Sequence, residues 1–535
     1  MKHTESFAGM RVLLLLALRR DRIKLPVWIA SITAFAAWIV HIYGDFSPRE
    51  MTEVTVMASI SPGMRVLVAP VTEAGVGELG SFFLLRMSLI LALFVALMSV
   101  QLVLRHTRMN EETGCAELTG SLPVGRYALL GAAMILGAGS NLVLGVALSL
   151  SFAVQGLDTF GAWLAGMSFA GLGFVMTAVA SVAAQLSETQ RGASGYATMA
   201  LAGFAGIASV SNVIGDVHES GFGFTSHWLA WLSPIGWLQQ VQAFEENRWL
   251  PLVLLYGAGL CLMYMATLIA EGRDIGAGVL PARKGPAYGA PRLLSPFGLA
   301  WRLQRKTLIA WFLPVAAFAA IFGASSGEYG EIAEGIAAFE AVIESEAYFL
   351  MSFISIMTAI LSIYAMQTIM RMRAEEKSGL VEMLLATAVP RTTWVRSYAF
   401  LGLAGAFVLI LTFTSMLTVS SGAGMDVFSD YLLAGLAQGT ALFALSGAVL
   451  FFFGWLPRFA VTLSWLAVFA SILAGPFFGA ILELPEWVLN VSPFSHVAIM
   501  PEEVSAFSLA MLLVTGLILL ILGVTGFQRR SLTLT

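Results

Sequence analysis

Charged residues are scarce in this sequence. Aspartate, glutamate, lysine and arginine make up 12% of its 535 residues, and hydrophobic residues make up 58%. Soluble proteins carry about 25% charged residues. Apolar runs of about 20 residues, long enough to cross a bilayer as helices, recur along the whole chain. This composition excludes a soluble globular protein and predicts an all-α polytopic membrane protein.

Residues that carry chemistry are equally few. The two cysteines, Cys115 and Cys261, lie in a polar stretch and inside an apolar run, so a disulfide framework is not expected. The six histidines have no zinc-binding spacing, and none of the five lysines completes a nucleotide-binding loop. No basic-aromatic patch indicates nucleic acid. We therefore assign no catalytic residue, no metal ligand and no cofactor to this chain.

The apolar runs predict twelve spans. The first six are expected at residues 25–43, 82–104, 127–152, 160–185, 195–213 and 250–270. The second six are expected at residues 307–324, 348–369, 397–420, 431–454, 459–481 and 505–526.

The basic residues orient these spans. With the N-terminus inside, all five lysines become cytoplasmic, while Arg49, Arg65 and Arg248 lie clearly outside. This bias predicts that both termini are cytoplasmic. Residues 7–22 have the pattern of an amphipathic helix at the membrane surface. Residues 328–346 predict an acidic outer helix, either a cation-attracting vestibule or simply a solvated face.

The chain also repeats itself. At an offset of 373 − 108 = 265, five residues of the polar stretch after the second span return after the eighth, namely Arg108, Glu111, Gly114, Glu117 and Arg126 as Arg373, Glu376, Gly379, Glu382 and Arg391. A second block, including Trp28 and Trp311, agrees at an offset of 283. We infer two six-span halves, residues 1–270 and 297–535, inserted in the same direction as parallel repeats. The Gly- and Pro-rich residues 271–296 predict a flexible cytoplasmic linker.

The repeated polar segments, residues 105–126 and 371–391, have two interpretations. Each is a solvated extension of a span, or each is a docking site for another subunit. Retention of the same Gly and Glu in both copies favours docking. Glu117 and Glu382 each follow a glycine by three residues, and we expect both on helices continuous with the preceding span. There they would couple a cytoplasmic subunit to the membrane part.

No predicted span has an aspartate or glutamate at its middle. Ion-driven carriers generally rely on intramembrane ionisable residues. Their absence argues against an ion-coupled secondary carrier and leaves the energy source to a separate nucleotide-hydrolysing subunit.

The second polar segment, "EEKSGLVEMLLATAVPRTTWVRSY", resembles the coupling segment of ABC exporter permeases of the second exporter type. The double-length form with twelve spans is similar to actinobacterial exporters of polyketide antibiotics (the tetronasin type) and to related multidrug exporters. "MRVLLLLALRRDRIKLPVW" and "LSPIGWLQQVQAFEENRW" extend the resemblance to the first half. The first polar segment departs from the pattern, since Asn110 replaces the leading glutamate.

The resemblance implies a permease in a bacterial cell membrane that exports amphiphilic compounds such as antibiotics. Two copies of a separate ATPase, which bind ATP and Mg²⁺, would contact the coupling segments. The substrate would pass among membrane lipids along spans 2, 5, 8 and 11, with candidate lining residues Phe94, Met98, Asn212, Phe353, Met357 and Phe469. Export of a lipid or a polysaccharide by the same mechanism remains the alternative.

Overall fold

The chain forms two compact helical units, Met1–Gly285 and Pro286–Thr535. The computed structural model describes residues 6–531 except 122, 275, 281–284, 286–287, 325–345, 423, 477–483 and 500–503. The division between the units falls inside the segment predicted as a linker.

Six long helices build the first unit, close to the predicted positions. These are span 1 (Lys24–Gly44), span 2 (Leu79–His106), span 3 (Ala128–Val154), span 4 (Thr159–Leu186), span 5 (Gln190–Val213) and span 6 (Leu250–Glu271).

Span 4 is the centre of this unit and packs against spans 2, 3, 5 and 6. Its small residues allow the close approach. A Cβ atom at Gly166 would collide with the backbone of span 3, and one at Gly173 would overlap the side chain of Asn141. Helices in a membrane associate by such tight packing, because lipid tails are as apolar as their own side chains.

The predicted surface helix forms at the N-terminus and spans Met10–Arg20. Its Ala17 packs between Leu102 of span 2 and Leu136 of span 3. Directly after the helix, the buried carboxylate of Asp21 pairs with Arg105 at 2.9 Å and with His106, both at the end of span 2. The ion pairs of Asp21 therefore hold the end of the N-terminal helix against span 2. Part of the helix's apolar surface stays exposed.

The connections between spans 1 and 2 and between spans 5 and 6 fold together into one layer. It contains helix Pro48–Ile60 and two short antiparallel strands, Asp216–Val217 and Phe224–Thr225. Arg65 donates to the carbonyl oxygen of Gly215 at 2.8 Å and lies over the ring of Phe224. We refer to this region as the outer layer.

A loop with an unfavourable backbone conformation packs the outer layer against the spans. Gln242, Phe244 and Asn247 all have positive φ, an unfavourable conformation for residues with a Cβ. The ring of Phe244 lies against Gly80 of span 2 and Gly161 of span 4, where a Cβ atom would overlap it.

The second unit has the same order of helices. These are span 7 (Pro296–Ala324), span 8 (Glu346–Lys377), span 9 (Arg391–Ser421), span 10 (Met425–Trp455), span 11 (Ala460–Leu473) and span 12 (Ala506–Arg529). The predicted outer helix at 328–346 lies outside the described residues except for its last position.

Within the second unit, spans 10 and 12 pack through facing glycines. A Cβ atom at Gly454 would collide with the backbone of Gly523, and one at Gly447 with that of Gly516. Spans 7 and 9 make the other extensive contact.

Eleven helices among the described residues are long and apolar enough to cross a membrane. Span 11 is shorter, at 14 residues. At 1.5 Å per residue it reaches about 21 Å, against a hydrocarbon core of about 30 Å. The prediction of an all-α polytopic membrane protein is confirmed, and each of the twelve predicted positions contains an apolar helix.

Candidate functional site

The first coupling segment, residues 105–126, is broken twice. Span 2 ends at His106, and the short helices Arg108–Glu112 and Cys115–Gly120 follow. The second break is at Gly114, whose φ is +72° and whose N–H donates to the carbonyl oxygen of Glu111 at 3.2 Å. Glycine adopts this left-handed conformation without the clash that a Cβ causes, and therefore ends helices.

The second coupling segment, residues 371–391, is broken once. Span 8 continues to Lys377, and Gly379, with a φ of +75°, separates it from the short helix Leu380–Leu385. Our prediction that Glu117 and Glu382 lie on helices continuous with spans 2 and 8 was wrong, because span 2 already ends at His106 and a retained glycine breaks the helix before each glutamate. Both glutamates lie on the short helix beyond the break.

Two of the repeated charges in the first segment form a buried ion triad with a third residue, Arg273. Arg273, two residues past span 6, donates to both carboxylate oxygens of Glu111 at 2.6 and 2.9 Å. Arg108 donates to the same carboxylate at 2.8 Å and to the carbonyl oxygens of Ala184 and Ala277. The side chain of Arg108 is completely buried. We call Arg108, Glu111 and Arg273 the first triad.

The second unit repeats this arrangement as the second triad, Arg373, Glu376 and Arg530. Arg530, directly after span 12, donates to both carboxylate oxygens of Glu376 at 2.5 and 2.9 Å, and Arg373 pairs with Glu376 at 3.0 Å. The guanidinium of Arg530 also lies 5.2 and 5.0 Å from the ring centroids of Phe453 and Phe527, which stack on each other. Bidentate contacts of this type are the stronger form of ion pair.

Arg126 and Arg391, which end the two coupling segments, bind the same last spans. Arg126 donates to the carbonyl oxygens of Ala270 and Glu271, at the end of span 6. Arg391 donates to the carbonyl oxygen of Arg530 at 2.9 Å, just past the end of span 12. The last carbonyls of a helix lack intrahelical donors and carry partial negative charge, so an arginine stabilises them.

The repeated residues, predicted as one group, have separate roles in the structure. Arg108, Glu111, Arg373 and Glu376 form ion pairs inside the protein, and Arg126 and Arg391 bind helix ends. Arg273 and Arg530 were not predicted. Each follows the last span of its half. The positive-inside bias already explains a basic residue at that position, so no separate signal indicated an ion pair.

Glu117 and Glu382 instead lie on the surface. Their neighbours Leu118 and Met383 are 74% and 65% exposed. Each short helix thus presents a carboxylate beside an apolar side chain. Both side chains on each short helix are therefore accessible to another protein.

The candidate substrate-lining residues divide by exposure. Phe94 and Phe469 are 39% and 51% exposed. Met98 and Met357 are buried within the cores of their units, and the half-buried Phe353 packs on Phe322.

Asn212 lies between span 5 and the outer layer. Its amide donates to the carbonyl oxygen of Val68 at 2.8 Å and to Gln239, and its oxygen accepts from Ser226. The residue thus has polar partners on every side within its own unit.

An apolar cavity of about 560 Å³ lies in the second unit, among spans 10, 11 and 12. Ala444, Ala448 and Met511 contribute to its apolar wall, while His496 and Ser508 are its polar neighbours. Sites for small molecules are usually of this size, largely apolar with a few polar groups.

The predicted linker is not free at its start. Val279 and Leu280 donate their N–H groups to the carbonyl oxygens of Gln185 and Leu186, at the end of span 4. Gly278 lies so close to Ser187 and Glu188 that a Cβ atom would collide with their backbone. Residues 276–280 thus contact the end of span 4, and the flexibility of the linker stays a prediction.

Two helical units, each with a polar segment fastened at one end of its bundle, define a polytopic membrane protein of the permease class. Residues 293–528 match the family model for the C-terminal domain of the multidrug efflux system permease Rv1217c. Over 98% of its length the chain is 32% identical to the multidrug efflux system permease protein Rv1217c of Mycobacterium tuberculosis, covering 95% of that protein. The chain therefore belongs to this family of multidrug efflux permeases, and the predicted resemblance to an exporter permease is confirmed.

Proposed function

We propose that this chain is the membrane-spanning permease of an ATP-driven exporter that moves hydrophobic or amphiphilic compounds out of the cell. It carries no nucleotide site of its own, and two copies of a separate ABC ATPase, loaded with ATP and Mg²⁺, bind one under each coupling segment. Both termini and both coupling segments are cytoplasmic, and the outer layer faces the cell exterior.

The observation that carries this proposal is the pair of exposed tips beyond Gly114 and Gly379. Each tip offers a carboxylate and an apolar side chain on a short helix, and the segment just before that helix is fixed by buried ion pairs. A rigid base with an accessible tip is what docking of a moving subunit requires. A helix face that only contacts solvent would need no such fixation.

The substrate class follows from the spans. They contain no central aspartate or glutamate to compensate a strongly ionic solute, and burying an uncompensated charge is costly. The cavity among spans 10, 11 and 12 has room for an apolar molecule with one polar group. Efflux of several drugs, stated in the name of the relative, agrees with this class.

Orientation is tested with the native thiols. Cys115 is exposed on the first coupling segment, and Cys261 lies in span 6. In a Cys261→Ser background, a membrane-impermeant maleimide should label Cys115 only after cells are permeabilised. Labelling of intact cells would place the coupling segments outside and contradict the proposal.

Assembly is tested by co-expression with the soluble ATPase of the adjacent reading frame. Native mass measurement of the purified complex should give two ATPase copies for each permease chain. A defined complex with one copy would contradict the assignment of a docking site to each coupling segment.

Transport is tested in a host that lacks its own efflux systems. Expression of the permease with its ATPase should lower accumulation of amphiphilic dyes and raise resistance to amphiphilic drugs. Export of a charged sugar or peptide without any effect on amphiphiles would contradict the proposed substrate class.

A further inference from the structure

Both coupling segments are tied to the last span of their own unit at two points. Near its start, each segment reaches that span through a triad, since Glu111 binds Arg273 and Glu376 binds Arg530. At its end, Arg126 or Arg391 binds the carbonyls there. Each segment is therefore connected both to the span that precedes it and to the last span of its unit.

These ties join positions that are far apart in the sequence, 162 residues in the first unit and 154 in the second. They arise in both units although the residues after the last spans differ, "EGRDIGAG" in one and "FQRRSLTLT" in the other. The same connection is thus present twice in different local sequences.

We propose that Arg273 and Arg530 are positioning residues that transmit movement of the coupling segments to spans 6 and 12. This inference rests on the proposed function. Glu111 and Glu376 precede the left-handed glycines, so each triad joins the last span to the helix just before the break. Movement of the exposed tip by a docked ATPase would pass across the glycine to that helix, and the bidentate guanidinium would pass it on to the end of the last span.

The decisive variant is Arg530→Gln, and Arg529→Gln is its matched control. Arg529 is the neighbouring residue with the same charge, but it is exposed and lies outside the triad. Permease variants are reconstituted with the ATPase in vesicles, and three quantities are measured: ATPase bound per permease, ATP hydrolysed, and an amphiphilic dye transported per ATP.

We expect Arg530→Gln to bind the ATPase and to hydrolyse ATP as the unaltered chain does, while dye transport per ATP falls about tenfold. Coupling between protein sites commonly amounts to about 5- to 150-fold. Arg529→Gln should change none of the three quantities. Arg530→Lys, which keeps the charge but loses the bidentate contact, should give an intermediate ratio and serves where the glutamine variant does not fold.

Undiminished transport per ATP in both Arg530 variants would overturn the inference and leave the proposed function intact. Loss of ATPase binding in Arg530→Gln would also overturn it, because the residue would then support docking rather than transmission. If the unaltered chain shows no ATP-dependent dye transport with bound ATPase, the proposed function itself fails, and the inference fails with it.

Discussion

The two coupling segments share an ionic framework but differ in what surrounds it. In the first unit Arg273 also donates to Gln185 and to the carbonyl oxygen of Ala277, so the start of the linker is bound into the triad. In the second unit Arg530 lies against two stacked phenylalanine rings, and Tyr398 donates to Glu375, the neighbour of Glu376, at 2.6 Å. What both units keep is therefore the connection to the last span, while the supporting contacts have diverged.

Removing the carboxylate at the centre of each triad should give the largest loss of stability, and the size of the loss should differ between the two units. Glu376→Ala leaves Arg373 and Arg530 without their anion in a buried site, which costs about 3–5 kcal/mol of stability. Glu111→Ala should cost less, because the side chain of Glu111 is less completely buried than that of Glu376, 7% against 1% exposed. Thermal unfolding in detergent measures both variants. An equal loss would contradict the role given to this difference in burial.

The stability of the first unit should depend on pH through a buried glutamate in its outer layer. Glu245 accepts hydrogen bonds from the N–H and hydroxyl of Thr72, both at 2.8 Å. Burial, opposed by these bonds and assisted by the nearby charge of Glu246, raises the pKa of Glu245 from 4.5 to about 7. The folded state therefore holds a proton that the unfolded chain releases, and stability falls as pH rises from about 4.5 to about 7.

Because of this pKa difference, the free energy of unfolding above pH 7 should be lower than that below pH 4.5 by on the order of 3 kcal/mol. Glu245→Gln, which keeps an acceptor and carries no charge, should remove the slope and be more stable than the unaltered chain at pH 8. Unfolding at several pH values tests this, with exposed Glu219→Gln as the control. A variant that keeps the full slope would contradict the assignment to Glu245.

Substitution of the exposed glutamates should affect docking and leave the fold intact. Under the proposed function, Glu382→Ala should remove a charge-assisted contact with the ATPase worth about 1.5–3 kcal/mol. Glu117→Ala should have a milder effect, since the first segment departs further from the family pattern. Affinity for the ATPase and transport are measured for each variant and for the pair. Full transport by the double variant would mean that both glutamates only contact solvent.

Substitution of either glycine that the two coupling segments share should lower stability by a similar amount. This is the smallest predicted effect. Gly114→Ala and Gly379→Ala meet no neighbouring atom, so their cost is that of placing a Cβ in the left-handed conformation, about 1–2 kcal/mol. Gly139→Ala, at an equally open site inside span 3, should instead be neutral or stabilising. Unfolding of the three variants measures this. A large difference between Gly114 and Gly379 would mean that the two breaks are not equivalent.

The sequence was sufficient for the spans because their signal is local. A run of about 20 apolar residues predicts a membrane helix whatever surrounds it. The internal match of Glu111 with Glu376 also located the site. The break after it was readable too, since a glycine following a helical pattern commonly ends the helix, and we gave this signal too little weight.

The partners of those residues were not predictable in the same way. Arg273 and Arg530 reach Glu111 and Glu376 across more than 150 residues, and no periodicity relates them. The outer layer depends on similar long-range contacts, such as Glu245 with Thr72 across 173 residues. Only the packing of the helices brings these groups together.

The bound start of the linker has a consequence for how the chain can be divided. Leu280 makes the last backbone hydrogen bond of the linker's start to span 4, and span 7 begins at Pro296. A cut between these residues would leave both triads and both arginine caps complete on separate polypeptides. Each half thus contains all the contacts described for its own coupling segment, and two separate chains could supply them as well as one.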